Sequence, residues 1–516
     1  MQGAAIATPS HNPPNFDARV DPPADLALVQ RKPSTPWWRV ADFAVFGGWI
    51  AVAGFTLAHH EKWADEAQAW LIARDLDLKT IWFHELRYEG SPGLWHTILW
   101  VAQHVFHAPY AALGVIGLAC AAAGIAFMLW KAPFPRPLRY MLAFSYFMVY
   151  QYAVIARPYT LLPLLAFAAA YFFRDRTHPE RMTVVLVLLA LLSIHGIAIA
   201  AGIGLPYLIE AAKDWKNLEP PVRRRYALCV GAMAVVLIAT FFVLRPTPDV
   251  DMFAKPGPDA EVFAASHAFP KSARLVSVIS GALLDFFIPS SIFLLFAAAW
   301  CAFRRKLLPF LLPTALLILL YVFVHGQSHH HGTIFVAIVA GLWIAWPTPE
   351  EQREASLFER RATSAMVALL VCLFAINIWD AAVSIRYEYL YPYSGAEDAA
   401  QYLKSIGADQ QSIFGYTYGM PAIQAYFDHN ILQNIPTTYY HHGLPSYGAL
   451  IQVDELRMRR PQYLVFLTGD PKRELAALDP VLGQCGYHRV HFSDGYLFFK
   501  RTLMDRQAYV VYRREP

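Results

Sequence analysis

The chain has 516 residues, 56% of them hydrophobic and only 16% charged, against roughly 25% charged in a typical soluble domain; the mean hydropathy of +0.32 excludes an ordinary soluble protein. The net charge of +4 sits in particular loops, not in one basic stripe, so nucleic acid is not an expected partner. Of the five cysteines, Cys120, Cys229, Cys301 and Cys372 lie in apolar segments and Cys485 alone in a soluble stretch; no disulfide framework is expected.

In chain order, residues 1–38 carry Pro, Asn, Asp and Ala without an apolar core and read as a disordered cytoplasmic tail. The first apolar segment starts too late and runs too long for a cleaved signal peptide, so it is an anchor. A helix crossing ~30 Å of hydrocarbon needs about 20 apolar residues. About eleven such segments follow one another, near 39–59, 109–130, 138–156, 158–173, 182–195, 196–212, 226–244, 285–303, 308–324, 332–347 and 363–381. The split at His195-Gly196 is argued from charge. With a cytoplasmic N-terminus, alternate loops are basic: Lys131/Arg136/Arg139, Arg174/Arg176/Arg181, Lys213 to Arg225, Arg304/Arg305/Lys306 and Arg353/Arg360/Arg361. One unbroken helix over 182–212 would put the next cluster on the wrong side. The predicted architecture is an α-helical polytopic membrane domain over 39–389 and an extracytoplasmic α/β domain over 390–516.

The opposite face receives the loop 59–95, an unusual connector. Glu61, Asp65 and Glu66 place carboxylates at the rim of the first span, and Trp63, Ala67, Trp70, Leu71 and Arg74 recur at helical spacing, as in an amphipathic helix lying in the interface. TIWFHELRY then leads to Glu89-Gly90-Ser91-Pro92-Gly93, and LWHTILWVAQHVF reads as an extra interfacial or half-membrane helix. Asp65 and Glu66 have two readings. Asp65 caps the helix and Glu66 complements its dipole, or a shielded carboxylate acts as general base toward a hydroxyl.

The segments WADEAQAWLIARDL, YEGSPGLWHTIL and VIARPYTLLPLL resemble the GT-C superfamily of polytopic glycosyltransferases, which includes protein O-mannosyltransferases and aminoarabinose transferases. The motif match covers residues 59–96 and 151–161; the topology match covers most of the chain. The resemblance implies a sugar donor carried on polyprenyl phosphate, an acidic residue or Asp-Glu pair in the first extracytoplasmic loop, and a soluble domain on that same side. It would make Asp65 the catalytic base, with Glu66 beside it. Members often carry a second acidic residue near 151; this chain has Gln151 and no carboxylate between Phe147 and Arg174. That departure weakens the case for a metal bridged by two loops, and a divalent ion is the one cofactor left open.

Arg157-Pro158-Tyr159 stands at the turn after the third span. The arginine snorkels to headgroups, or its guanidinium, fixed by the proline, grips a lipid phosphate. Ser328-His329-His330-His331-Gly332 falls on the same face: interfacial histidines, or imidazoles that with His195 donate to a departing phosphate or to sugar hydroxyls. Three consecutive histidines do not converge on one ion. Glu89 and Tyr159 complete the substrate-binding set. Asp75-Leu76-Asp77 matches a DxD pattern in the wrong context and is discounted, and Asp285 at the start of a span is a weaker candidate or a helix cap.

The C-terminal part alternates helices (395–407, 420–428, 447–459, 471–482) with strands (411–416, 462–468, 487–493, 496–501) and lacks a Gly-rich phosphate turn. The whole reads as a cell-envelope glycosyltransferase of a bacterial inner membrane that takes sugar from the lipid carrier to an extracytoplasmic glycan, lipid or protein. The rivals are a transporter or flippase, which would carry ionisable residues in mid-span, and a membrane anchor for a catalytic C-terminal domain, which has no catalytic motif.

Overall fold

The computed structural model describes residues 37–89, 91–245, 270–324, 327–441 and 453–515; residues 1–36 of the predicted tail, Gly90, and parts of the 245–284 and 447–459 segments lie outside them, and the last two tail residues, 37 and 38, already belong to the first helix. Among the described residues, five helices are long and apolar enough to cross a membrane: Trp38–Leu57, Ala112–Lys131, Ile194–Lys213, Pro220–Leu244 and Leu357–Leu390. Lys271–Ala282 and Phe287–Phe303, bent by 73° at Asp285, make a sixth if taken as one span.

Of the eleven apolar segments expected, these are the ones that form single helices of spanning length, or one bent pair, among the described residues. The remaining apolar segments are shorter helices: Leu162–Phe172, Pro179–Ala190, Leu307–Phe323 and His331–Ala345. The segment near 138–156 is broken into the helix Arg136–Ala143 and a π-turn, Phe147–Gln151. An apolar run looks alike whether lipid or protein covers it. Every residue of His331–Ala345 is buried, because the helix lies inside the bundle against Leu162–Phe172 and Leu307–Phe323. Gly341 allows that approach: a Cβ there would sit 2.7 Å from the Phe310 Cα. Pro220–Leu244 is the opposite case. It is apolar all round, yet only 6% of its span window is buried, with Leu228, Val235, Phe241 and Phe242 exposed. Such a surface is stable against lipid and not against water.

The break in 182–212 comes at Leu191 to Ser193, slightly earlier than predicted, and Ser193 caps the second helix by accepting the Gly196 N–H at 3.1 Å. At one end of the bundle the basic loops meet. Arg174 donates to the Trp346 carbonyl at 2.6 Å, Arg176 and Lys306 share Glu210, and Arg304 pairs with Glu351. At the other end lie the acidic loop, Arg157, the His329–His331 turn and the C-terminal domain.

The helix Ala64–Asp75 does not lie on the interface with one face in lipid. Eight of its twelve residues are buried, Ala64, Ala67, Ala69 and Ala73 among them. These small side chains let it wedge between Leu94–His104 and Met420–Gln424 of the C-terminal domain.

In that domain β1 (Ile413–Tyr416), β2 (Tyr463–Thr468), β3 (Tyr487–Ser493) and β6 (Ala508–Arg514) form a sheet in the order β1-β2-β6-β3, with only β1/β2 parallel. Alternate residues of β2 enter two cores. Tyr463, Val465 and Leu467 face Ala396–Ser405, whereas Leu464 and Phe466 face Pro471–Gly483. The sequence pattern misses β5 (Thr502–Arg506) and the central strand β6. β4 (Tyr496–Phe499) and β5 form a separate hairpin, and its tip enters the membrane domain. Phe498 belongs to the bundle core, and Lys500 and Arg501 pair with Asp285 and Asp380. Asp380 is buried inside the 34-residue helix Leu357–Leu390, and the two cations of the hairpin neutralise it together with Asp285.

Candidate active site

The helix beginning at Ala64 presents two adjacent carboxylates to different surroundings. Its N-cap is Trp63, not Asp65. Glu66, three residues after the cap, turns inward and is 1% exposed. It accepts the Trp63 N–H at 3.3 Å, the Ala156 N–H at 2.7 Å and His60 Nε2 at 2.9 Å. His60 Nδ1 meets Glu388 Oε1 at 2.8 Å, and the Tyr150 hydroxyl donates to that same oxygen at 2.6 Å.

With a carboxylate on each ring nitrogen, both nitrogens of His60 are donors and the ring is an imidazolium. Burial alone would lower its pKa, but Glu388 and Glu66 together raise it to about 10. Burial likewise pushes Glu66 up, and the charge and hydrogen bond of His60 with the Ala156 N–H overcome it and hold the carboxyl below its ordinary value. Glu66 has no face left for a substrate.

Asp65 looks the other way. About a third of its side chain is exposed, and Arg157 Nη1 lies 2.9 Å from Oδ2. The two groups form a close ion pair. The guanidinium also lies over the rings of Trp63 and Tyr159, at 5.8 and 5.4 Å. Burial raises the Asp65 carboxyl, Arg157 lowers it, and the net shift is upward. Glu89 accepts from Gln68 Nε2 at 2.8 Å. Burial lifts it to about 7 against that hydrogen bond, and the charges of Asp65 and Arg157 reach it. Gln68 pairs on its other side with the Tyr440 backbone, at 2.6 and 2.7 Å, so the C-terminal domain closes one wall.

The aromatic wall comes from three separate segments. Tyr159 packs against His195 and His330 at ring separations of 5.3 and 5.8 Å, and His195 lies 4.8 Å from His330. His329 faces Trp63 at 6.2 Å. His331 points away, toward Tyr321 and Phe499. Gln151, where a second acid was sought, donates to the His329 carbonyl at 2.6 Å and so ties the Arg157 turn to the histidine turn.

Among the described residues no group of three or more His, Cys, Asp or Glu is placed to hold a metal ion. Asp65 is paired with a guanidinium, and Glu66 accepts from three N–H donors. Asp75 pairs with Arg74 and accepts from Thr438, while Asp77 caps the next helical turn through Thr80. Asp285 is not a cap; it has a positive φ of 61° and holds Lys500 and Arg501.

Sequence reasoning missed His60, Gln68, Tyr150 and Glu388. His60 was visible next to Glu61, but its second partner lies 328 residues away, a pairing that no local spacing encodes.

No protein-family model matches the chain, and no curated protein does. Two solved structures are similar to it. One is the crystal structure of ArnT from Cupriavidus metallidurans bound to undecaprenyl phosphate, with 16% identity and a TM-score of 0.48 over 93% of this chain and 98% of that one. The other is ArnT from the same organism in the apo state, with 14% identity and a TM-score of 0.49 over 92% of this chain and 97% of that one.

Proposed function

We propose that the chain is a membrane glycosyltransferase that moves a sugar from a polyprenyl-phosphate carrier to a hydroxyl acceptor, with Asp65 as general base. The observation that carries this reading is the Arg157 guanidinium, held by charge beside Asp65 and by two aromatic rings at the same end of the bundle as the histidine turn. A phosphate monoester or diester offers oxygens that match the fork of the guanidinium.

As the lipid phosphate draws Arg157 toward itself, Asp65 loses the cation that lowers its pKa and becomes a stronger base. Asp65 then takes the proton of the acceptor hydroxyl, and the oxygen forms its bond to the anomeric carbon from the face opposite the phosphate. The bond from that carbon to the phosphate oxygen breaks, and the electron pair leaves with the polyprenyl phosphate. The configuration inverts. Arg157 stabilises the charge developing on the phosphate, and Tyr159, His195 and His330 line that side as donors to phosphate or sugar oxygens. Glu89, with a pKa near neutrality, and Gln68 face the acceptor side.

The test is binding of undecaprenyl phosphate to purified full-length protein in nanodiscs. Arg157→Ala is expected to weaken it by at least about 10-fold, in line with loss of a charge-assisted hydrogen bond worth ~1.5–3 kcal/mol. Arg157→Lys, which keeps the charge and loses the fork, falls between. Binding by Arg157→Ala equal to wild type would remove the phosphate-gripping role.

The site end is assigned to the extracytoplasmic face of a bacterial inner membrane, with a cytoplasmic N-terminus, because the opposite end gathers the basic loops. A cysteine introduced as His178→Cys is expected to resist a membrane-impermeant maleimide in intact cells and to label in inverted vesicles. Labelling from outside intact cells would reverse the orientation.

A further inference from the structure

We infer that Glu388 is a positioning residue for Arg157, acting through His60 and Glu66, and that the β4–β5 hairpin of the C-terminal domain fixes the outer end of this relay. The inference rests on the reading of Arg157 as the phosphate ligand, but its geometry stands by itself. Four buried links run in series: the Tyr150 hydroxyl to Glu388, Glu388 to His60, His60 to Glu66, and Glu66 to the Ala156 N–H, at 2.6, 2.8, 2.9 and 2.7 Å. Each has a charged member, and such bonds are short and directional. The last link ends on the N–H of Ala156, the residue before Arg157. Arg157 has an extended backbone, φ −124° and ψ 170°, and is followed by Pro158, so the segment has little freedom to absorb a shift. Moving Glu66 therefore moves Arg157.

The other end of the relay is gripped by the hairpin. The Lys500 N–H donates to the Tyr146 hydroxyl at 3.1 Å, and Ser384 Oγ donates to the Lys500 carbonyl at 2.8 Å. The Phe498 ring lies 6.0 Å from Tyr150, 5.4 Å from Tyr387 and 5.2 Å from Tyr393, around the turn of helix that carries Glu388. Lys500 and Arg501 anchor the tip on Asp285 and Asp380. His60 Nδ1 and the Tyr150 hydroxyl both meet the one oxygen, Glu388 Oε1, so that carboxylate orients the two side chains together.

The experiment has two readouts on full-length protein in nanodiscs. One is the rate at which phenylglyoxal, an arginine-directed reagent, modifies Arg157, followed by peptide mass spectrometry; it reports the placement of the guanidinium without any substrate. The other is the Kd for undecaprenyl phosphate. Glu388→Leu is expected to raise the modification rate several-fold and to weaken binding about 3- to 30-fold, the usual range for coupling through a contiguous network. Glu388→Gln, whose oxygen still accepts from Tyr150 and His60, is expected to restore both toward wild type. Tyr150→Phe removes one hydroxyl, keeps the packing, and serves if the leucine variant does not fold; it is expected to shift both readouts in the same direction. Unchanged Arg157 reactivity in folded Glu388→Leu or Tyr150→Phe overturns the relay. Changed reactivity with unchanged lipid binding upholds the relay and fails the phosphate reading instead.

Discussion

Asp65→Asn is expected to be produced and inserted like the wild type and to transfer sugar 10²- to 10⁴-fold more slowly, the usual cost of losing a general base. The stability cost is small. The lost ion pair is partly exposed, and such pairs contribute at most ~1 kcal/mol; the helix keeps its Trp63 N-cap and the Glu66 brace. Donor binding moves the other way. With no carboxylate at 2.9 Å, Arg157 is released to phosphate, so the Kd for undecaprenyl phosphate is expected to hold or tighten while kcat collapses. That split separates a base from a binding residue. The pH profile of the wild type follows the same logic. Burial raises the Asp65 carboxyl above its ordinary value, so the rate is expected to fall as acid protonates it, and to begin falling at a higher pH than for an exposed aspartate. Asp75, whose side-chain partners among the described residues are Arg74 and Thr438, lies apart from the Asp65–Arg157 pair, and Asp75→Asn should stay near wild type. Wild-type transfer by purified Asp65→Asn would end the assignment of Asp65 as base.

The contrast between Asp65 and Glu66 shows what the sequence carries and where it stops. Apolar runs located nearly every helix of the bundle, and loop charge sorted the two ends. That sorting brings Asp65, Glu89, Arg157, Tyr159, His195, His329 and His330 to one end of the bundle, from segments up to 265 positions apart in the chain. Hydropathy did not separate a lipid-facing helix such as Pro220–Leu244 from a protein-covered one such as His331–Ala345, because both are apolar and only their neighbours differ. Neither could adjacency assign roles. Asp65 and Glu66 are equivalent acids in the sequence, and they diverge because successive helix positions are rotated by about 100°. That rotation turns one toward Arg157 and the other toward His60. The hairpin was read as an ordinary strand, since Lys500 and Arg501 look like solvated charges until Asp285 and Asp380 are placed opposite them.

The largest loss of stability is expected at His60. His60→Gln leaves Glu66 and Glu388, both buried, with no cation between them, and removing one member of a buried charged set typically costs about 3–5 kcal/mol. Wild-type stability should also depend on pH through this residue. The folded pKa is raised from 6.5 to about 10, so the stabilisation is complete below about 6.5 and is lost progressively as pH rises toward 10. Glu66 has the opposite sign: its carboxyl is held below the ordinary value, so its share is present above that value and is lost as pH falls through the depressed one. Both contributions are full only in weakly acidic solution. Thermal unfolding in detergent is therefore expected to show the highest Tm there and a decline toward pH 9–10. His60→Gln, which has no proton to lose, should lower Tm throughout and flatten the alkaline decline. Unfolding curves of wild type and His60→Gln that run parallel from pH 6 to pH 10 would mean that His60 is neutral in the folded protein, and the imidazolium bridge between Glu66 and Glu388 would have to be abandoned.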